Sequence, residues 1–207
     1  MSPRTRIDVS LCIATCRRPG ELARLLDSLG RAKLPEGLGV EAILVDNDPG
    51  TDPAHPAAEG AALPGIALQR LREPRRGLAY ARNRGLEAAA GRWLAFLDDD
   101  AVVDEAWLAA LWRRAEDRDA DGYFGPLRAG DAPGPPGVWP RSGDRVERRV
   151  AHVRNALLRR PLFRDLRFDP LERDPELAWL RAQSRRGARF EWCEEAVLRG
   201  DEPAAPR

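Results

Sequence analysis

Residues 77–100 read GLAYARNRGLEAAAGRWLAFLDDD, and this stretch carries the clearest fold signal in the chain. Its first part, 78–90, has the apolar spacing of a helix with one tolerated glycine. The second part, 92–97, is a short apolar run that is typical of a strand buried on both faces of a parallel sheet. Three aspartates close that strand. A helix that leads directly into a buried strand is the repeating unit of an α/β fold.

The same alternation of strand and helix extends from the start of the chain to a helix after Asp104, which we expect to cap it. Further strands are predicted at 9–15, 40–45 and 66–71. Leucines recur at helical spacing after the first strand, at Leu22, Leu25, Leu26 and Leu29. We therefore predict an α/β protein with a mostly parallel, doubly wound sheet flanked by helices. In such sheets ligands bind beyond the carboxyl ends of the strands.

The remainder of the chain is less regular. Residues 125–143 are rich in proline and glycine, which predicts a loop. After this loop we expect a strand that leads into a helix within 145–158, a helix over 174–187 and a final strand over 189–193. A short helix is also expected within 54–62.

Composition limits the class of protein. The 207 residues contain 34 basic and 33 acidic side chains, and this balance argues against a nucleic-acid-binding protein. Lys33 is the single lysine, so the other basic residues are arginines, which bind phosphates well. Three cysteines without a regular framework indicate a reduced, cytoplasmic protein without a zinc site. No signal peptide is evident, and no apolar run approaches the ~20 residues that cross a bilayer.

The three consecutive aspartates, Asp98, Asp99 and Asp100, allow two interpretations. Their mutual repulsion is costly after a buried strand, and a hard divalent cation such as Mg²⁺ or Mn²⁺ would offset it. A cation there can bridge two phosphates and stabilise the charge of a departing diphosphate. Alternatively, the aspartates cap the next helix and favour its positive end. Their position at the end of the fourth strand favours metal binding.

Other polar residues follow the first and second strands. Asp46 could accept hydrogen bonds from a base or a ribose, or it could form the turn that residues 46–50 predict. Thr15 and Arg18 lie where backbone amides and a guanidinium could meet a pyrophosphate, although the arginine could equally be a solvated surface residue. No G-x-G-x-x-G, P-loop or G-x-S-x-G motif occurs. Their absence argues against a dinucleotide cofactor, a P-loop nucleotide site and α/β-hydrolase chemistry.

Three segments together resemble the inverting family-two glycosyltransferases of the GT-A fold. They are VSLCIATCRRP at 9–19, the strand end VDND at 45–48, and GLAYARNRGLEAAAGRWLAFLDDDAVVDEAWL at 77–108. The resemblance covers about residues 7–112. It implies a nucleoside-diphosphate sugar as donor, a UDP-sugar above all, together with Mn²⁺ or Mg²⁺. It also implies a single-displacement transfer that inverts the anomeric carbon.

The resemblance also implies roles for individual residues. Thr15 and Asp46 would line the nucleoside pocket, and Arg82 and Asn83 would lie near the nucleotide. Asp98 and Asp100 correspond to the D-x-D pair and would hold the metal, with Asp98 also turned towards the ribose. The implied donor-binding set is Thr15, Arg18, Asp46, Arg82, Asn83, Asp98 and Asp99. From the residues alone, Arg82 and Asn83 could also be ordinary polar groups on a helix.

Two segments of the second half resemble the family as well. RVAHVRNALLRR at 149–160 is similar to the segment before the acceptor region, with Asn155 at the family's position. RFDPLERDPELAWLRAQSRRGARFEWCEEAVL at 167–198 is similar to the segment that carries the family's acidic pair. In the family, this pair supplies the base that deprotonates the acceptor hydroxyl.

The acidic pair falls on Arg173 and Asp174, so the first acid has become arginine while the second is kept. The resemblance therefore implies Asp174 as the catalytic base, with Glu172 and Glu176 as neighbouring candidates. The residues alone also allow another role for Asp174. An aspartate directly before Pro175 is typical of a helix N-cap.

We predict one GT-A-like domain over 1–207, with a donor-binding half at 7–127, an acceptor-side half at 128–200 and a frayed tail at 201–207. The acceptor would be a carbohydrate or a lipid-linked sugar, and any contact with the inner face of the cell membrane would be peripheral. Two alternatives stay open: a catalytically degenerate homologue that acts as a nucleotide-binding module, and a sugar-phosphate nucleotidyltransferase. The second normally has a glycine-rich, lysine-containing loop after its first strand, which this sequence lacks.

Overall fold

Four parallel strands begin the central sheet of the computed structural model, which describes residues 6–50, 63–129 and 152–200. They are β1 (Val9–Thr15), β2 (Val40–Asp46), β3 (Ile66–Arg72) and β4 (Trp93–Asp98). Each strand begins and ends within one residue of its predicted span. β1 lies between β2 and β4, and β3 pairs with the outer side of β2.

The described residues form four α-helices, which cover both faces of this sheet. They are α1 (Pro19–Arg31), α2 (Leu78–Ala88), α3 (Trp107–Asp117) and α4 (Pro175–Arg185). Successive residues of β1 enter two different apolar clusters. Leu11 and Ile13 pack in the cluster that contains α1 and α3, whereas Cys12 and Ala14 pack in the one that contains α2 and α4. The sheet is therefore buried on both faces, and the predicted doubly wound α/β class is confirmed.

Shorter strands complete the fold. They are β5 (Val102–Val103), β6 (Gly122–Phe124), β7 (Leu127–Ala129), β8 (Ala156–Arg159), β9 (Phe190–Trp192) and β10 (Leu198–Gly200). Across the described ranges the main sheet has the order β3-β2-β1-β4-β8-β6-β9, and a small second sheet has the order β5-β10-β7. β8 runs antiparallel to both of its neighbours, β4 and β6.

Three local predictions are wrong. Leu127–Ala129, within the loop predicted at 125–143, form strand β7, because they pair with the distant strand β10. A 3-10 turn, Val153–Asn155, leads into β8, so the strand follows the turn instead of leading into a helix. The apolar run of β8 pairs with strands far away in the chain, which local sequence does not reveal. Asp104 does not cap α3 with its side chain. The cap position is Ala106, and the carboxylate of Asp104 lies 3.5 Å from Nη2 of Arg199.

None of the helices in the described part of the chain combines the length and the apolar character that a bilayer crossing requires. Three predicted features lie outside the described residues: the short helix within 54–62, residues 130–143 of the loop, and the tail at 201–207.

Candidate functional site

The carboxyl ends of β1, β2 and β4 bring three predicted polar residues to one edge of the sheet. Thr15 lies opposite Asp46 in the pairing of β1 with β2, and Ala14 lies opposite Asp98 in the pairing of β1 with β4. Thr15 and Asp46 are buried, with 2% and 3% of their surface exposed. The edge is therefore a partly buried polar surface, as the strand pattern predicts for a ligand site.

Asp99 is tied to the loop that follows β1. Its Oδ2 accepts hydrogen bonds from the hydroxyl of Thr15 at 3.0 Å and from the backbone amide of Cys16 at 3.3 Å. Nη1 of Arg18 lies 3.5 Å from the other carboxylate oxygen. Burial raises the pKa of Asp99 above its ordinary value. The three contacts lower this pKa but do not outweigh burial. Asp99 therefore joins the first strand end to the fourth.

Asp98 is paired with a buried guanidinium. Nη2 of Arg82 donates to Oδ1 of Asp98 at 2.8 Å, and Nη1 of Arg82 donates to Glu176 in the first turn of α4. The Arg82 side chain is 3% exposed. Burial by itself would lower the pKa of Arg82, but Glu176 and Asp98 outweigh it and raise that pKa above its ordinary value. Arg82 thus bridges the end of β4 and the start of α4.

Asp100 differs from Asp98 and Asp99 because its carboxylate accepts no hydrogen bond from the described residues. Its Oδ2 lies 3.7 Å from Nη1 of Arg18, and its Oδ1 lies 4.0 Å from Nη1 of Arg154. Oδ1 is buried and has no hydrogen-bond partner among the described residues. Burial, followed by the neighbouring charge of Asp98, raises the pKa of Asp100.

Sequence reasoning missed two residues of this site, Arg154 and His152. Nη1 of Arg154 lies 3.9 Å from Oδ2 of Asp98 as well as 4.0 Å from Asp100. His152 interacts electrostatically with Glu176, Asp98 and Asp174, and its pKa is lowered because burial disfavours the charged form. One arginine among so many gives no signal in the sequence. The sequence indicates these two residues only through their position in the segment around Asn155, which resembles the family.

Two predicted donor residues have local structural partners. Oδ1 of Asp46 accepts a hydrogen bond from the amide of Asp48 at 2.9 Å, which is the turn that the sequence also allowed. Asn83 forms a reciprocal pair with the backbone of Phe168, donating to its carbonyl at 2.7 Å and accepting from its amide at 3.2 Å. Both polar atoms of the Asn83 amide are therefore engaged with Phe168, not with the aspartate triplet.

Asp174 occupies the N-cap position of α4, where its Oδ1 accepts a hydrogen bond from the amide of Leu177 at 3.0 Å. Asp174 and Glu172 are exposed, whereas Glu176 is partly buried against Arg82. These residues line a cleft of about 650 Å³ between the starts of α2 and α4. The cleft shares Arg82 with the aspartate triplet, so the two regions adjoin each other.

The residues present fit a divalent cation in part. Asp98 and Asp100 offer hard carboxylate oxygens, and Oδ1 of Asp100 is buried without a hydrogen-bond partner. Within 6–50, 63–129 and 152–200, however, no three or more carboxylate, imidazole or thiol groups are placed to hold a metal by themselves. A cation at this position would therefore need further oxygen ligands, which water or a bound phosphate compound would supply.

The chain also matches proteins of known family and known structure. The family model for glycosyl transferase family 2 matches residues 10–193. Succinoglycan biosynthesis protein ExoM of Rhizobium meliloti is 35% identical over 169 residues, which are 76% of this chain and 53% of ExoM. The chain thus spans about half the length of this relative.

Two solved structures show the same fold at low sequence identity. The Staphylococcus aureus protein TarS, residues 1–349 in complex with UDP, superposes with a TM-score of 0.74 at 17% identity, over 95% of this chain and 61% of that one. The mannosyltransferase PcManGT from Pyrobaculum calidifontis, in complex with GDP-Man and Mn²⁺, gives a TM-score of 0.73 at 19% identity, over 99% of this chain and 60% of that one. The sheet and its helices form a GT-A fold, and the chain belongs to glycosyl transferase family 2.

Proposed function

We propose that this chain transfers a sugar from a nucleoside-diphosphate sugar to an acceptor hydroxyl, with inversion at the anomeric carbon. The observation that carries the proposal is the cluster of Thr15, Asp46 and the aspartate triplet at one edge of a parallel sheet, faced by Arg18 and Arg154. The two structural neighbours, whose complexes contain UDP and GDP-Man, support a nucleotide-sugar donor. A UDP-sugar is the donor we favour.

In this proposal Thr15 and Asp46 line the nucleoside pocket, and Arg18 meets the diphosphate. Arg82 acts by holding Asp98 in place, and Asn83 acts indirectly by fixing Phe168, which lines the adjoining cleft. Asp98 and Asp100 would hold Mn²⁺ or Mg²⁺, which when bound would neutralise negative charge on the diphosphate. Asp99 maintains the shape of the loop through Thr15 and Cys16.

The transfer step needs a base beside the acceptor. An acceptor in the cleft between α2 and α4 would give its hydroxyl proton to Asp174 as its oxygen bonds to the anomeric carbon. The bond from that carbon to the diphosphate breaks at the same time, and its electron pair leaves with the nucleoside diphosphate. Oδ1 of Asp174 caps α4, and Oδ2 accepts no hydrogen bond from the described residues, so Oδ2 is the proton acceptor. In this proposal residues 7–127 supply most of the donor site, and residues 128–200 supply the base and most of the acceptor side.

Two substitutions at Asp174 separate the base from the helix cap. Asparagine caps helices as well as aspartate, so Asp174→Asn should leave the free energy of unfolding within about 0.5 kcal/mol of wild type. The same variant should lose roughly 10²- to 10⁴-fold in transfer rate, because the base is gone. Asp174→Ala should lose the activity and also about 1 kcal/mol of stability. Transfer is measured with nucleotide-sugar donors and an acceptor panel, with Mn²⁺ and with chelator. Wild-type turnover by Asp174→Asn would remove Asp174 from the mechanism.

A second candidate function is nucleotide binding without turnover. It is favoured by two observations: arginine stands at position 173, and the carboxylate of Glu176 is occupied by Arg82. Nucleoside diphosphate binding with neither transfer nor donor hydrolysis on any tested donor would support this candidate. The family model that matches is one for glycosyl transferases, so it does not support the alternative of a sugar-phosphate nucleotidyltransferase.

We also propose that peripheral membrane contact uses an arginine-lined cleft of about 990 Å³ at the amino ends of β1 and β4. Its arginines are Arg6, Arg92, Arg160, Arg164 and Arg167. Among the described residues, Arg160 and Arg164 form no ion pair, and both are exposed. Such a surface attracts anionic phospholipid headgroups at the end of the sheet opposite to the donor site.

A further inference from the structure

Arg154 occupies an unusual position between two carboxylates. Its Nη1 lies 3.9 Å from Oδ2 of Asp98 and 4.0 Å from Oδ1 of Asp100, and its side chain is 15% exposed. Both distances exceed the limit of a hydrogen bond, so the guanidinium is held near the carboxylates by charge alone. Its Nε is buried and has no hydrogen-bond partner among the described residues.

The turn that presents Arg154 is fixed by its neighbour Asn155, which is fully buried. The amide nitrogen of Asn155 donates to the carbonyls of Pro126 and Ala196, both at 2.9 Å, and its oxygen accepts from Nε1 of Trp107 at 2.8 Å. The backbone carbonyl of Asn155 also accepts from the amide of Gly125 at 3.0 Å. Arg154 is thus carried by a turn that four hydrogen bonds hold in place.

The partly buried guanidinium of Arg154 lacks a hydrogen-bonded acceptor for its Nε among the described residues. Buried polar groups are nearly always hydrogen-bonded, and a buried ion pair stabilises a protein only when its remaining donors are satisfied. Nε of Arg154 and Oδ1 of Asp100 are both unsatisfied. A guanidinium binds strongly to a group that offers two anionic oxygens to its forked N–H donors, and a phosphate group does so.

We propose that Arg154 binds the diphosphate of the donor and that, with no nucleotide bound, it serves as the counterion of Asp98 and Asp100. This inference rests on the proposed donor-binding function. In this inference Arg154, from the acceptor-side half of the chain, provides a positive charge for the diphosphate. This charge adds to that of any cation held by the carboxylates. Arg18, whose side chain is 55% exposed, is the more exposed of the two arginines beside Asp100.

The test measures nucleotide binding, not turnover. Wild type, Arg154→Met, Arg154→Lys and the control Arg113→Met, an exposed arginine on α3, are titrated calorimetrically with UDP, GDP and the corresponding nucleosides. Each titration is made with Mn²⁺ and with chelator. We expect Arg154→Met to weaken binding of the diphosphate by about tenfold to a hundredfold relative to the nucleoside. Arg154→Lys should recover part of this loss, and Arg113→Met should bind as wild type does.

Circular dichroism and thermal melting establish that each variant is folded, and Arg154→Lys keeps the test valid if Arg154→Met is unstable. If wild type binds UDP or GDP and both Arg154 variants keep its preference for diphosphate over nucleoside, the inference is wrong and the proposed function stands. If wild type binds no nucleoside diphosphate under either condition, the proposed donor function fails and the inference fails with it.

Discussion

Arg82 donates from Nη2 to Oδ1 of Asp98 at 2.8 Å while its Nη1 is held by Glu176, so one buried guanidinium joins the end of β4 to the first turn of α4. The segments that it joins lie in the proposed donor-side and acceptor-side parts of the chain. An arginine that is 3% exposed pays a large desolvation cost, which these two carboxylates offset. The geometry of the site therefore depends on this contact.

Replacing Arg82 should be costly to folding. Arg82→Met would leave the partly buried Glu176 without its counterion and Asp98 with only the more distant Arg154, and we expect the free energy of unfolding to fall by about 3–5 kcal/mol. Urea denaturation followed by circular dichroism measures this change. Arg84→Met is the matched control, because Arg84 lies on the same helix with 41% of its side chain exposed, and it should change stability by less than about 1 kcal/mol. Equal effects of the two substitutions would contradict the role assigned to Arg82.

The raised pKa of Asp100 predicts a stability penalty at neutral pH. A carboxyl group whose pKa is higher in the folded state than in the unfolded state destabilises the fold above its folded pKa. The penalty disappears as the pH falls below the ordinary value of 3.8. In chelator, Asp100→Asn should therefore melt about 1–3 °C higher than wild type at pH 7, with no difference near pH 3.5. The exposed Asp165→Asn serves as the control. A lower melting temperature for Asp100→Asn at pH 7 would contradict the prediction.

We expect Asn155 to contribute mainly to the stability of the fold. Asn155→Ala removes three side-chain hydrogen bonds and leaves the buried groups of Trp107, Pro126 and Ala196 without partners, at a cost of about 2–4 kcal/mol. Trp107→Phe breaks one of these bonds and lets the two amide contacts persist. Chemical denaturation of the two variants should therefore show the larger loss for Asn155→Ala.

The three cysteines should differ in reactivity. Burial raises the pKa of Cys12 to about 12, and it also raises the pKa of Cys193, so both thiols are poor nucleophiles in the native protein. Cys16 is half-buried in the loop beside Asp99. With a thiol-specific disulfide reagent at pH 8, we expect one fast-reacting thiol that disappears in Cys16→Ser. A bound nucleoside diphosphate should slow its labelling, and two or more fast thiols would contradict the burial of Cys12 and Cys193.

Charge reversal tests the arginine-lined cleft. The double variant Arg160→Glu/Arg164→Glu should bind vesicles of anionic phospholipid at least about tenfold more weakly than wild type, since each basic residue near a membrane contributes about 1 kcal/mol. Arg24→Glu/Arg76→Glu, two exposed arginines outside the cleft, is the charge-matched control. Flotation on anionic and on zwitterionic vesicles provides the measurement. Equal flotation of both double variants would argue against a specific membrane surface, and nucleotide affinity should be unchanged in either.

Local sequence determined the first half of the fold more fully than the second. β1 and β4 are continuous apolar runs bounded by polar residues, so their ends could be predicted to within one residue. β8 could not, because its four residues are a strand only by virtue of pairing with β4 on one side and β6 on the other. The contacts around the aspartate triplet could likewise be predicted only in part. That carboxylates gather at a strand end is visible in the sequence, whereas the proximity of Arg154 depends on long-range pairing.

In the 3-10 turn before β8, buried residues alternate with residues that lie near the charges of the site. Val153 and Asn155 are fully buried and hold the turn, while His152 and Arg154 alternate with them and lie among the charges of the site. Substitutions at 152 and 154 can therefore change the charge offered to a ligand and leave the core beneath intact. The turn is thus a place where such a protein can evolve a different preference for its ligand without altering the buried contacts of Val153 and Asn155.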